Sequence, residues 1–210
     1  YRLPKKCYNM MLLYDRNGHK NWVTDVKKLL FSVGFGNIWH DQDTVNTTFM
    51  QDFTQRLKDI YLQSWNEKLR LSSKCDFYVL FKKSIETECY LSYLNIRKFR
   101  ICLSRFRCSS HDLYIEKGRY TNVNRDSRIC KLSSLNNIED EFHFLFVCPV
   151  YENLRKKYMK QKFYVHPNFI TLATLMNTED RTEIQNLSMY ITYAFVQRKQ
   201  GIASLNDKTK

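Results

Sequence analysis

Glycine and proline are scarce in this chain, five and three in 210 residues, so it lacks the dense turn signals of a many-stranded sandwich or barrel and is expected to be mostly α. Long apolar runs are missing too. The longest uncharged stretches, Val165 to Thr178 and Leu187 to Gln197, fall short of the roughly 20 residues a membrane helix needs and carry polar groups, which predicts no membrane partner. The seven cysteines are odd in number and irregularly spaced, which argues against a disulfide framework and for a reducing, intracellular compartment, nuclear or cytoplasmic. Two adjacent aspartates, a common device for holding catalytic metal ions, occur nowhere. The chain opens on Tyr1 with no signal peptide behind it, which reads as a piece of a longer open reading frame.

What is abundant is positive charge. The net charge is +13, and a polyanion is the natural partner for such an imbalance. The segment from Tyr93 to Lys131 holds ten basic residues: Arg97, Lys98, Arg100, Arg105, Arg107, Lys117, Arg119, Arg125, Arg128 and Lys131. Against them stand only Asp112, Glu116 and Asp126. Interleaved with Tyr114 and Tyr120, these bases suit a phosphate backbone with bases stacked on the rings, so they are the candidate contacts to RNA or DNA of low sequence specificity. A solvated helix face is the plainer account of the same residues.

Apolar periodicity places a helix after Asn21, through Trp22, Val26 and Leu30 to a stop at Gly34, and a long one over residues 47–72. Trp22, Trp39 and Trp65 are expected as core anchors. The run from Phe77 to Phe81 fits a strand or a helical turn equally. Helices are further expected over residues 90–107, 150–163, 168–176 and 179–199, with a frayed tail from Gly201. This divides the chain into a helical region (1–108), a basic segment with a compact motif (109–163) and a terminal helical bundle (164–210).

The motif is an array of metal-ligand residue types. Cys130, Ser133, His143 and Cys148 follow C-x2-S-x9-H-x4-C, a zinc-knuckle-like spacing in which thiolates and imidazole suit tetrahedral zinc. Serine at 133 is a poor ligand, leaving three and predicting weak zinc binding or none. His111 and Cys108 are candidate replacements, although a locally packed ring and an ordinary thiol are the simpler readings. Asn137 is expected to cap a helix opening at Glu139. Residues five apart on an α-helix point about 140° apart, so Cys148 can meet His143 only if the helix stops, as Pro149 suggests.

These residues resemble a known family. Ser109-Ser-His-Asp-Leu-Tyr-Ile-Glu-Lys-Gly-Arg119, Arg128-Ile-Cys130, Glu139-Asp-Glu-Phe-His-Phe-Leu-Phe-Val-Cys-Pro-Val-Tyr151 and Leu154-Arg155 are similar to the C-terminal region of non-long-terminal-repeat retrotransposon reverse transcriptases. Asn21-Trp22, Leu29-Leu30, Gly34-Phe35 and Trp39-His-Asp-Gln42 resemble the stretch between polymerase thumb and zinc-binding end in such elements. The resemblance implies a noncatalytic appendage that positions RNA or target DNA for the rest of the polymerase. It matches Cys130, His143 and Cys148 to three zinc ligands and Ser133 to the fourth, a cysteine. A degenerate helical scaffold, with neither metal nor nucleic acid, is the competing reading.

Overall fold

The computed structural model describes residues 3–41 and 46–208, and within these the chain is helical, with one isolated antiparallel bridge between Ile129 and Ile138. Gln42, the end of one resembling segment, lies outside the described residues. Contacts divide the chain into two compact units, Tyr1–Lys68 and Leu69–Lys210.

The first unit contains α1 (Leu3–Arg16), α2 (Trp22–Ser32), α3 (Gly36–His40) and most of α4 (Phe49–Leu71). Helix α2 starts where a capping box starts it: the Asn21 side chain accepts from the Val23 N–H at 2.8 Å, and Thr24 Oγ1 accepts from the Asn21 N–H at 3.0 Å. It ends at Gly34, whose φ of +86° suits glycine and lets the Phe35 N–H reach back to the Leu30 carbonyl at 2.8 Å. Burial is sparse. Val23, Leu30 and Val33 lie inside, whereas α1, α3 and α4 contribute no fully buried residue. The tryptophans are not core anchors. Trp22 is half exposed beside the buried Val23, and Trp39 and Trp65 are only partly covered.

The second unit has a continuous core running from Phe77 to Ala194. Its helices are α5 (Asp76–Val79), α6 (Tyr90–Tyr93), α7 (Arg97–Arg107), α8 (Tyr114–Tyr120), α9 (Glu152–Tyr158), α10 (Gln161–Tyr164), α11 (Phe169–Met176) and α12 (Arg181–Lys208). Helix α12 packs along α7 and α9 and buries Ile184, Leu187, Tyr190, Ile191 and Ala194. Phe144 is fully buried and stacks on Phe195 with centroids 4.7 Å apart, while the Tyr190 hydroxyl donates to the Phe144 carbonyl at 2.7 Å. The motif and the terminal helices are therefore parts of one core.

Three helix expectations are corrected. The run 90–107 breaks because Leu94 turns its backbone extended and buries its side chain, so α6 and α7 are separate. The run 150–163 breaks in the same way at Met159. The tail is not frayed from Gly201, since α12 continues to Lys208. A Cβ at Gly201 would come within 2.9 Å of the Leu132 side chain, so glycine is what allows α12 to pass this close to the motif. Residues 77–81 resolve as a helical turn.

Candidate metal centre and basic surface

Cys130 is placed by a hairpin. The Cys130 N–H donates to the Asn137 carbonyl at 2.9 Å and the Glu139 N–H to the Arg128 carbonyl at 2.8 Å, flanking the Ile129–Ile138 bridge. Arg128 fixes one arm. Its guanidinium donates to the carbonyls of Val123 (3.0 and 2.8 Å) and Ile115 (2.7 Å), and it lies so close to α8 that a Cβ at Gly118 would fall 2.7 Å from it. Glu139 fixes the other. It is buried, accepts from Arg198 of α12 at 2.7 and 2.6 Å, and accepts from the Tyr114 N–H at 2.7 Å. The hairpin is thereby tied to both α8 and α12.

His143 and Cys148 come together partly as the sequence suggests, the backbone leaving the helical region at Cys148 before Pro149, and partly through a turn that it does not suggest. Asn137 and Ile138 belong to the hairpin, and the cap is Asp140, whose Oδ1 accepts from the His143 N–H at 2.7 Å. Burial pushes the Asp140 carboxyl above its ordinary range, the hydrogen bond from His143 opposing it. The chain then makes a single π-helical turn, His143–Val147, closed by the Cys148 N–H donating to the His143 carbonyl at 2.8 Å. An i-to-i+5 bond sets the fifth residue over the first, where an α-helix would turn it away. The end of that turn is clamped by buried Arg155, which donates to the Leu145 and Cys148 carbonyls at 2.8 Å each. Arg155 is thus a structural residue of the site, not part of a basic helix surface.

The result is a buried cluster. The ligand atoms of Cys130, His143 and Cys148 lie within 4.8 Å of one another, and all three side chains are essentially closed to solvent. A hydrogen bond from the Cys148 thiol lowers the Cys130 pKa, overcoming burial with help from His143, and the same pairing raises that of Cys148. A metal bound by both sulfurs would displace the thiol protons. Neither His143 ring nitrogen has a hydrogen-bond partner among the described residues despite its burial. Each unpaired group costs about 1–3 kcal/mol, and a metal bond to one nitrogen would remove the share of that nitrogen. The cluster can hold a metal ion, and its soft thiolate and imidazole donors fit the zinc class.

No other described His, Cys, Asp or Glu joins the three. The Ser133 hydroxyl accepts from the Leu135 N–H at 3.2 Å, closing a local turn. His111 is committed elsewhere: its Nδ1 accepts from the Leu113 N–H at 3.4 Å, so its Nε2 donates to Glu141 Oε1 at 2.9 Å. Ser109 donates to the same oxygen at 2.7 Å. Burial alone would raise the Glu141 pKa, but these two donors hold it below the usual carboxylate value. Cys108 is exposed at the end of α7. Sequence reasoning gave no role to Tyr151, whose buried hydroxyl has no hydrogen-bond partner among the described residues and whose electrostatic neighbours include Cys148, Glu139, Arg198 and Cys130. It placed Glu139 at a helix start and did not foresee its buried pairing with Arg198, 59 residues on.

The basic candidates divide sharply. Arg107 is interior, donating to Glu88 at 2.7 Å and to the Met176 carbonyl, with its guanidinium 4.5 Å from the Phe81 ring centroid. It is no phosphate contact, and Arg128 serves the hairpin. Arg119 is held by Ser73 and Glu116, Arg125 by Asp76 at 2.6 Å, and Lys117 by Asp112 at 3.2 Å. Arg100, half buried, reaches back to the Leu94 carbonyl at 3.5 Å. Arg97, Lys98, Arg105 and Lys131 are exposed and have no carboxylate partner among the described residues, Lys131 lying 5.5 Å from the Tyr114 ring centroid.

No family model, curated protein or solved structure matches the chain. No helix among the described residues is long and apolar enough to cross a membrane. Fold and site together define a mostly helical protein with a buried three-ligand cluster able to hold a metal ion.

Proposed function

We propose that this chain is a noncatalytic, nucleic-acid-binding C-terminal portion of a retroelement reverse transcriptase, with zinc in the Cys130, His143, Cys148 cluster and RNA or target DNA on its basic face. The observation that carries the reading is the set of exposed cations on α7, Arg97, Lys98 and Arg105, which have no carboxylate partner among the described residues, in a chain of net charge +13. Cations neutralised within the fold serve the fold, while those left unpaired are free to meet polyphosphate, which such a surface binds without sequence preference. The convergence of three zinc-class ligands at the positions the resemblance marks supports the retroelement assignment. In this reading the metal has a structural task, holding the hairpin against the π turn, and polymer chemistry belongs to the rest of the polymerase.

Fluorescence anisotropy of labelled RNA and DNA across a salt series tests the proposal. Binding should weaken linearly in log–log form, and Arg97→Glu, Lys98→Glu and Arg105→Glu together should weaken it more than three reversals on α1 and α2. Absence of binding at low ionic strength, or affinity indifferent to salt, would favour the scaffold reading.

A further inference from the structure

A groove of about 500 Å³ lies between α7 and α12. Lys98, Ile101, Cys102 and Arg105 line it from α7, at spacings of three, four and seven residues that put them on one face. From α12 come Thr192, Phe195 and Val196. Its apolar lining is open to solvent at Ile101 and Val196, each about two-fifths exposed, over the Phe195 ring that stacks on Phe144. Lys98 and Arg105 stand at the two ends of the α7 row, exposed and without a carboxylate partner among the described residues. The groove's own carboxylate, Asp112, is already paired with Lys117 at 3.2 Å.

An apolar slot between two unneutralised cations suits a ligand that alternates flat apolar faces with anions. Seven residues of helix separate the cations by about 10 Å, room for an unstacked base and the phosphates on either side of it. In a duplex the base faces are stacked away and only the backbone and base edges reach the surface, so a duplex would leave the apolar slot unused. We infer that this groove takes single-stranded nucleic acid, an unstacked base resting on Ile101, Phe195 and Val196 while Lys98 and Arg105 hold flanking phosphates. The inference rests on the nucleic-acid reading above and adds to it a strand state and a place.

The test is anisotropy titration of the full chain with a labelled oligonucleotide of about 15 nucleotides, the scale of a single-strand site, and with its duplex. Ile101→Glu and Val196→Glu change exposed side chains and leave the Phe195 core intact. Ile170→Glu, at an exposed position of α11, makes the same charge change away from the groove. Each groove variant should lose about tenfold or more for the single strand, the scale of one base–side-chain contact, and little for the duplex, with Ile170→Glu near wild type. Equal losses for strand and duplex, or groove variants that match Ile170→Glu, would overturn the inference while leaving the nucleic-acid reading standing. Displacement of the oligonucleotide by polyglutamate at equal charge concentration would overturn it in favour of an acidic polypeptide. A wild-type chain that binds neither nucleic acid would instead refute the underlying reading.

Discussion

Replacing Glu139 and Arg198 by leucine, singly and together, probes the tie between the hairpin and α12. Both side chains are buried, and two hydrogen bonds of 2.7 and 2.6 Å join them. Arg198→Leu leaves a buried carboxylate whose remaining donor is the Tyr114 N–H; Glu139→Leu strands a buried guanidinium and that N–H together. Breaking one side of a buried pair costs about 3–5 kcal/mol, so each single variant should lose that much and melt roughly 10 °C lower. The double variant keeps no buried charge at this place. Its cost is the unpaired Tyr114 N–H, about 1–3 kcal/mol, less than either single change. Urea denaturation of all four proteins gives the cycle directly. Additive losses, or single variants within 1 kcal/mol of wild type, would show that the pair is solvated and does not anchor the hairpin.

Ser133→Cys should tighten zinc binding about 100-fold, since complete sites of this kind bind with about 10–16 kcal/mol and one thiolate supplies a fraction of that. Chelator competition measures it, and no gain would mean that residue 133 does not reach the cluster. His143→Leu should abolish metal binding yet raise the melting temperature of metal-free protein, because two unpaired buried nitrogens disappear; a metal-free loss comparable to that of a core cavity would contradict this. Glu141→Gln should cost about 1 kcal/mol near neutral pH and flatten the acid limb of the stability curve. The folded pKa of Glu141 lies below its unfolded 4.5, so its contribution is complete above 4.5 and is lost as pH falls through the folded value. An unchanged acid limb in the variant would exclude Glu141 as its source.

Local signals were legible in the sequence. Asn21 and Asn168 each accept a backbone N–H at the start of their helices, and Gly34 ends α2, because caps and left-handed stops depend on residues a few positions apart. The three cluster residues were legible as residue types at a spacing. The π turn that unites two of them was not, since it depends on Asp140 capping from below and Arg155 clamping from above. The basic segment misled at Arg107 and Arg128 for a related reason: guanidinium groups that serve distant carbonyls look, in sequence, like those that serve phosphates. Trp22 misled because a helical stripe identifies a face without saying how much covers it.

In the proposed reading, Cys130, His143 and Cys148 form one metal centre joining hairpin to π turn. X-ray absorption at the zinc edge of the zinc-loaded chain tests it most directly. The claim predicts one zinc per chain with two sulfur scatterers near 2.3 Å, one imidazole nitrogen near 2.0 Å and one further light atom. A shell of nitrogen and oxygen alone, or zinc that dialyses away without altering the melting temperature, would contradict it.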